Sequence, residues 1–207
     1  MSWKEFFKSK KLIIELVVTI VFILVLLNVF PKFLDFAEQR TGVHLNDPIL
    51  KLFNPIDLTW ITFGIIYACV ILTILQLFNK PQFLLLAVQS YGVMLLLRIM
   101  AMYLTPLAAP EKLIPLNDPF VQSFVSGDIL TQDLFFSGHT ATLFLLVLVI
   151  QNKFLKPIFI ISTIFVGAAV LLQHVHYSID VLAAPAFAYA SYRIAYLINK
   201  KLNLITD

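Results

Sequence analysis

The chain has 207 residues, 60% of them hydrophobic and only 13% charged, with a mean hydropathy of +0.90 and a formal net charge of +3. Soluble domains carry roughly 25% charged residues, so this much apolar surface on so short a chain excludes a water-soluble globular protein and calls for lipid as a solvent. The basic clusters sit at the two ends, which excludes nucleic acid as the expected partner and suits a basic rim beside anionic lipid.

The first apolar run, Leu12 to Phe30, follows Lys4, Lys8, Lys10 and Lys11. It exceeds the about 7–15 residues of a signal-peptide core and ends without a small-residue cleavage site, so it is expected to remain as a membrane helix. Residues 31–57 are mixed, and Lys32 to Arg40 reads as a short amphipathic helix on the membrane surface. The second run, Leu58 to Phe78, is closed by Asn79-Lys80-Pro81, and the third extends from Gln82 to about Tyr103. Residues 105–136 form a long polar connection with prolines at 106, 110, 115 and 119. The fourth run goes from Gly138 to Ile150, the fifth from Ile158 to about Gln173, and the sixth from about Tyr177 to Ile198. The sixth carries Ala183, Ala184, Ala186, Ala188, Ala190 and Ser191, which favour close helix contact in lipid, and Pro185, expected to kink it. The single cysteine, Cys69, lies in an apolar run and reads as a packing group.

A membrane span takes about 20 apolar residues. Runs one, two, three and six meet this, whereas the ends of runs four and five are expected in the interface or inside protein. The expectation is an all-α, polytopic integral membrane protein: six transmembrane helices in one domain over residues 1–207, with both termini on one side. Lys4, Lys8, Lys10, Lys11, Lys80, Lys153, Lys156, Lys200 and Lys201 then share the inner side, against Lys32, Arg40, Lys51 and Lys112 outside. This bias puts the termini in the cytoplasm and residues 31–57, 105–136 and 174–177 on the outer face, periplasmic, extracellular or lumenal.

Ionisable groups in such segments are costly and point to function. His176 and Asp180 are four apart at a helix start and share one face, where the carboxylate would orient the imidazole and leave the other ring nitrogen as nucleophile or base. The alternative is a buried polar pair holding two helices together. His139 stands at the start of the fourth run in Ser137-Gly138-His139-Thr140. Ser137 fits an N-cap, Gly138 lets a ligand approach the backbone, and the helix start suits an anion. His139 there could protonate an oxygen leaving phosphorus. Arg98 fits a phosphate clamp; its alternative is an ion pair with Asp180, Asp128 or Asp133. A Zn²⁺ site of His139, His174, His176 and Asp180 is a rival use, but His174 and His176 are two apart and would point apart on a helix. No metal or other cofactor is expected.

Ser137-Gly138-His139-Thr140 with His174-Val175-His176-Tyr177-Ser178-Ile179-Asp180-Val181 resembles the sphingomyelin synthase branch of the type 2 phosphatidic acid phosphatase (PAP2) superfamily. Asp133-Leu134-Phe135-Phe136 and the segment Arg98 to Pro106 are similar to runs upstream of these motifs in that family. The resemblance implies a six-helix PAP2-like bundle in which His176 attacks the substrate phosphorus, Asp180 holds His176, His139 handles the proton of the leaving and entering alcohols, and Arg98 binds phosphate. The wider superfamily has a Ser-Arg pair ahead of the second histidine and a Lys–Arg motif upstream. Val170 and Tyr91 stand at the corresponding places here, which favours the synthase-like branch. The implied substrate is a phospholipid or lipid phosphate, with water or an alcohol such as ceramide or diacylglycerol as acceptor. The competing class is a transporter or structural membrane protein in which the His/Asp pair relays protons.

Overall fold

The computed structural model describes residues 1–116, 131, 133–202 and 204. Among them the chain is helical, with seven α-helices and no strand. A four-residue helix, α1 (Trp3–Phe6), opens the chain under a reciprocal cap between Ser2 and Glu5. The long α2 (Lys10–Glu38) starts at the N-cap Ser9 and is followed, after a 3₁₀ turn at Leu50–Leu52, by α3 (Thr59–Leu77) and α4 (Pro81–Leu104). The remaining helices are α5 (Gly138–Val149), α6 (Leu155–Leu172) and α7 (Ser178–Lys201). Of the connection 105–136, residues 117–130 and 132 lie outside the described residues, and Asp128 with them.

Five helices, α2, α3, α4, α6 and α7, are long and apolar enough to cross a membrane. The fourth apolar run forms α5, whose 12 residues cover about 18 Å at 1.5 Å per residue, less than the about 30 Å hydrocarbon layer. It does not need to face lipid. No α5 residue is exposed, and α3, α4, α6 and α7 pack around it.

The surface helix expected over Lys32 to Arg40 does not form. Instead α2 continues through Pro31 to Glu38. Proline forfeits one backbone bond, but the end of α2 gains partners from α4. Arg40 donates to the Met102 and Tyr103 carbonyls at 3.3 and 3.0 Å, and its guanidinium lies over the Phe36 and Tyr103 rings. These bonds satisfy orphan carbonyls at the α4 C-terminus.

The core runs along α5. Phe63, Cys69, Leu143, Phe159 and Val170 pack on one side of it. Met94, Phe136, Ala141, Ala184 and Ala188 pack on the other, where the small residues of α7 admit close approach. Phe6, Leu12, Leu85 and Leu204 share a further cluster, so both chain ends lie at one end of the bundle.

The opposite end, here the loop end, is assembled from residues 39–58, 105–116 and 173–177. Ile56 N–H donates to Leu172 O at 2.9 Å and Ile114 N–H to Gln173 O at 3.1 Å. Fully buried Gln173 accepts from Leu58 N–H at 3.1 Å and donates to Thr59 Oγ1 at 2.9 Å, satisfying the start of α3. Val43 pairs with Leu107 in a parallel bridge. Beside it, a Cβ on Gly42 would run into the backbone of Leu107 and Ala108, which cannot swing aside as a side chain can. Gly42→Ala is therefore expected to cost about 1–3 kcal/mol by overpacking. A lowered melting temperature in detergent, with the helical circular-dichroism signal retained, checks this.

Candidate active site

Two helix starts meet at the loop end. The turn into α5 is made by Phe135 and Phe136, both with positive φ (67° and 33°). Left-handed backbone at a non-glycine residue costs about 1–3 kcal/mol and persists where the surroundings hold it. Here Phe136 is fully buried and stacks on Phe187 with ring centroids 4.3 Å apart, while its carbonyl accepts from Arg98 Nη1. Ser137 caps α5: its Oγ accepts from Thr140 N–H at 3.4 Å and Thr140 Oγ1 at 3.1 Å. Its own N–H donates to the Asp180 carbonyl at 3.0 Å, which ties the start of α5 to the first turn of α7.

The start of α7 is capped from a distance. Asp47 accepts from Ser178 N–H at 2.6 Å, Ser178 Oγ at 3.0 Å and Ile49 N–H at 2.9 Å. Burial pushes the Asp47 carboxyl up, but the bonds from Ser178, Ile49 and Leu50 outweigh it and hold it below the usual carboxylate range. Within α7, Asp180 is fully buried. Its Oδ2 accepts from Tyr177 N–H at 3.1 Å and lies 3.2 Å from His176 Nδ1. Its Oδ1 has no hydrogen-bond partner among the described residues.

His139, in the first turn of α5, stands edge-on to Phe63 and 6.3 Å from His176 between ring centroids, with the planes inclined at 59°. The two imidazoles thus share one end of the bundle. Arg98, 5% exposed on α4, forms an ion pair with Asp133 at 2.7 Å and also donates to the Asp133 carbonyl at 3.3 Å. This is one of the pairings the sequence allows; the site does not pair Arg98 with Asp180. A guanidinium has five N–H donors, and its three bonds to Asp133 and Phe136 leave capacity for an anion. The space that Gly138 leaves by lacking a side chain holds this guanidinium, since a Cβ there would stand 2.9 Å from Arg98 Nη1. All six residues singled out in the sequence, Arg98, Ser137, Gly138, His139, His176 and Asp180, therefore gather at the loop end.

His174 goes elsewhere. With φ at 56°, it turns its ring edge-on to Phe53, 5.3 Å away between centroids. No group of three or more His, Cys, Asp or Glu among the described residues is arranged to hold a metal ion.

Residues 132–197 match the family model of the PAP2 superfamily C-terminal region. The matched stretch contains Asp133, Ser137, Gly138, His139, His176 and Asp180 and leaves out Arg98. The match supports phosphatase or phosphotransferase chemistry on lipid phosphates in general. A comparison with curated proteins finds no match.

Sequence reasoning passed over Asp133 as a site residue, placing it only in a motif and among the candidate partners of Arg98. Burial raises its carboxyl, but the nearby Arg98 charge, with His176 and His139, outweighs burial and holds it below the usual range. A carboxyl with a depressed folded pKa contributes stability that is full above the unfolded value near pH 4 and is lost as pH falls through the folded value. The pair is therefore intact from pH 5 to 8. Asp133→Asn is expected to cost roughly 2–3 kcal/mol at pH 7, below the range for a fully buried pair because Asp133 is partly exposed. Melting curves of wild type and variant should converge as pH drops below about 4.

Proposed function

We propose that this chain is an integral membrane lipid phosphotransferase or phosphatase that works through a histidine nucleophile. The observation that carries the reading is the pair of imidazoles 6.3 Å apart, one of them bonded to a buried carboxylate. In-line displacement at phosphorus needs a nucleophile about 3–3.5 Å from the reacting atom and an acid within about 2.6–3.2 Å of the leaving oxygen on the far side. The two histidines stand on separate helix starts beside one another, which suits a phosphate lodged between them.

In this reading Asp180 keeps the Nδ1 proton on His176, so that Nε2 carries the lone pair that attacks phosphorus, and it stabilises the positive charge that develops on the ring. The bond from phosphorus to the leaving alkoxide breaks as His139 delivers its proton to that oxygen. His139 then removes a proton from the incoming alcohol or water, which displaces His176. Arg98, held by Asp133, presents its remaining donors to the equatorial phosphate oxygens. The acceptor decides the outcome: water gives hydrolysis, and a lipid alcohol such as ceramide or diacylglycerol gives sphingomyelin synthase-like transfer. We take residues 1–207 as one PAP2-like domain with cytoplasmic termini, so that the loop end and its histidines face outward, as the lysine distribution favours.

A proton-relay transporter would need ionisable groups across the bundle. The other half holds a polar chain in which Asn199 donates to Gln89 at 2.6 Å and Gln89 to Glu15 at 3.4 Å. Glu15 is its one ionisable member, and such a chain joins α2, α4 and α7 without forming a path.

The roles separate in two variants. In purified protein in lipid, His176→Ala is expected to lower turnover by about 10³-fold or more for every substrate. His139→Ala is expected to lose about 10²–10⁴-fold on an alkyl phosphate but much less on an aryl phosphate, whose leaving group needs no proton. Undiminished turnover by His176→Ala refutes the assignment, and equal losses on both substrates refute the role of His139.

A further inference from the structure

His176 and Asp180 are joined by three residues, and two of these are held from outside the helix. Both grips come from one segment, residues 43–49. The Tyr177 hydroxyl accepts from Leu45 N–H at 3.3 Å and donates to Ala108 O at 2.9 Å. Asp47 takes the Ser178 N–H at 2.6 Å on one carboxylate oxygen and the Ser178 hydroxyl at 3.0 Å on the other. Tyr177 in turn gives its own N–H to Asp180 Oδ2, the oxygen that faces His176 Nδ1. The gripping segment is not core. Of residues 43–49, Asp47 alone is buried and the other six are exposed. A cavity of about 510 Å³, whose wall includes His174, opens beside the segment, and a second of about 320 Å³ is bordered by it and by Ser178. A position kept for packing would carry an apolar side chain. Here the one buried side chain is a carboxylate, which burial penalises unless its bonds are made.

We propose that Asp47 is a positioning residue for the His176–Asp180 pair, acting through Ser178. The first N–H groups of a helix have no partner within it. Ser178 is the first residue of α7, and the same turn carries Asp180. Releasing Ser178 frays that turn, and with it the bond from Tyr177 N–H that aims Asp180 Oδ2 at the imidazole. The ring then takes its other tautomer as readily, with the proton on Nε2 and no lone pair there to attack phosphorus. A cap that served stability alone would leave the proton where it is. The catalytic consequence rests on the reading of His176 as nucleophile; the effect on its tautomer does not.

The test compares full-length wild type with Asp47→Asn in detergent micelles. Asparagine keeps the side-chain size but has one acceptor oxygen, so it cannot hold the Ser178 N–H and hydroxyl on opposite oxygens. The first readout is the tautomer of residue 176 by nitrogen NMR of histidine-labelled protein, assigned with His176→Ala, where the ring is neutral at about pH 8. The second is kcat and KM on phosphatidic acid. Wild type is expected to hold the Nδ1–H form. Asp47→Asn is expected to populate both tautomers and to lose about 10²-fold in kcat, with KM within about threefold of wild type. Ser178→Ala keeps the backbone bond to Asp47 and should show the same changes in smaller measure, which keeps the test open if Asp47→Asn fails to fold. A lowered melting temperature with the tautomer and the kcat of the folded variants unchanged overturns the proposal. Wild type that turns over no lipid phosphate, while Asp47→Asn still shifts the tautomer, supports the positioning role and contradicts the phosphotransfer reading.

Discussion

A single backbone hydrogen bond, Ser137 N–H to Asp180 O at 3.0 Å, joins two helix starts that are distant in sequence. His139 follows Ser137 by two residues, and His176 precedes Asp180 by four. Fixing the Ser137–Asp180 contact therefore sets the spacing of the two imidazoles. The bond sits where both partners are fully buried, so water cannot replace it and losing it would strand a donor and an acceptor in a low-dielectric interior. The rest of the loop end supports this junction. Ser137 also caps α5, Asp47 caps α7, and the short α5 is enclosed by its neighbours and cannot slide toward lipid.

Charge is the second constraint. Arg98 and Asp180 are buried side chains on helices that cross or approach the membrane interior. Isolated, each would cost several kcal/mol. Arg98 is satisfied by Asp133 and the Phe136 carbonyl, and that carbonyl is delivered by strained backbone at Phe135 and Phe136. The strain of two left-handed residues, about 1–3 kcal/mol each, is offset by pairing a guanidinium that burial would otherwise leave unsatisfied. Gly138 completes the fit by leaving room for the guanidinium. The same segment thus orders the arginine and launches the helix that carries His139.

Much of this was legible in the sequence, and the reasons differ by element. The apolar runs bounded α3 and α4 to within a residue or two, because a lipid-facing helix must be apolar along its whole length. The end of α2 was not legible. Its continuation past Pro31 depends on Arg40 meeting the α4 C-terminus, a contact across 62 residues. His139, His176 and Asp180 stood out because charge inside an apolar run has few structural excuses. Asp47 and Asp133 did not, since each sits in a polar stretch where an acid is ordinary. Their roles come from partners 131 and 35 residues away. His174 shows the converse: spacing separated it from His176, but the sequence held no sign of the cavity it lines.

The central claim is that phosphorus becomes bonded to His176 during turnover. Rapid quench of the purified protein with a phospholipid or lipid phosphate, followed by peptide mass spectrometry under alkaline conditions, reads this directly. The account predicts an acid-labile phosphorus adduct on the imidazole of residue 176, accumulating when the acceptor is withheld and discharged when it is added. Steady turnover with the adduct on another side chain, or with none formed before product, contradicts it.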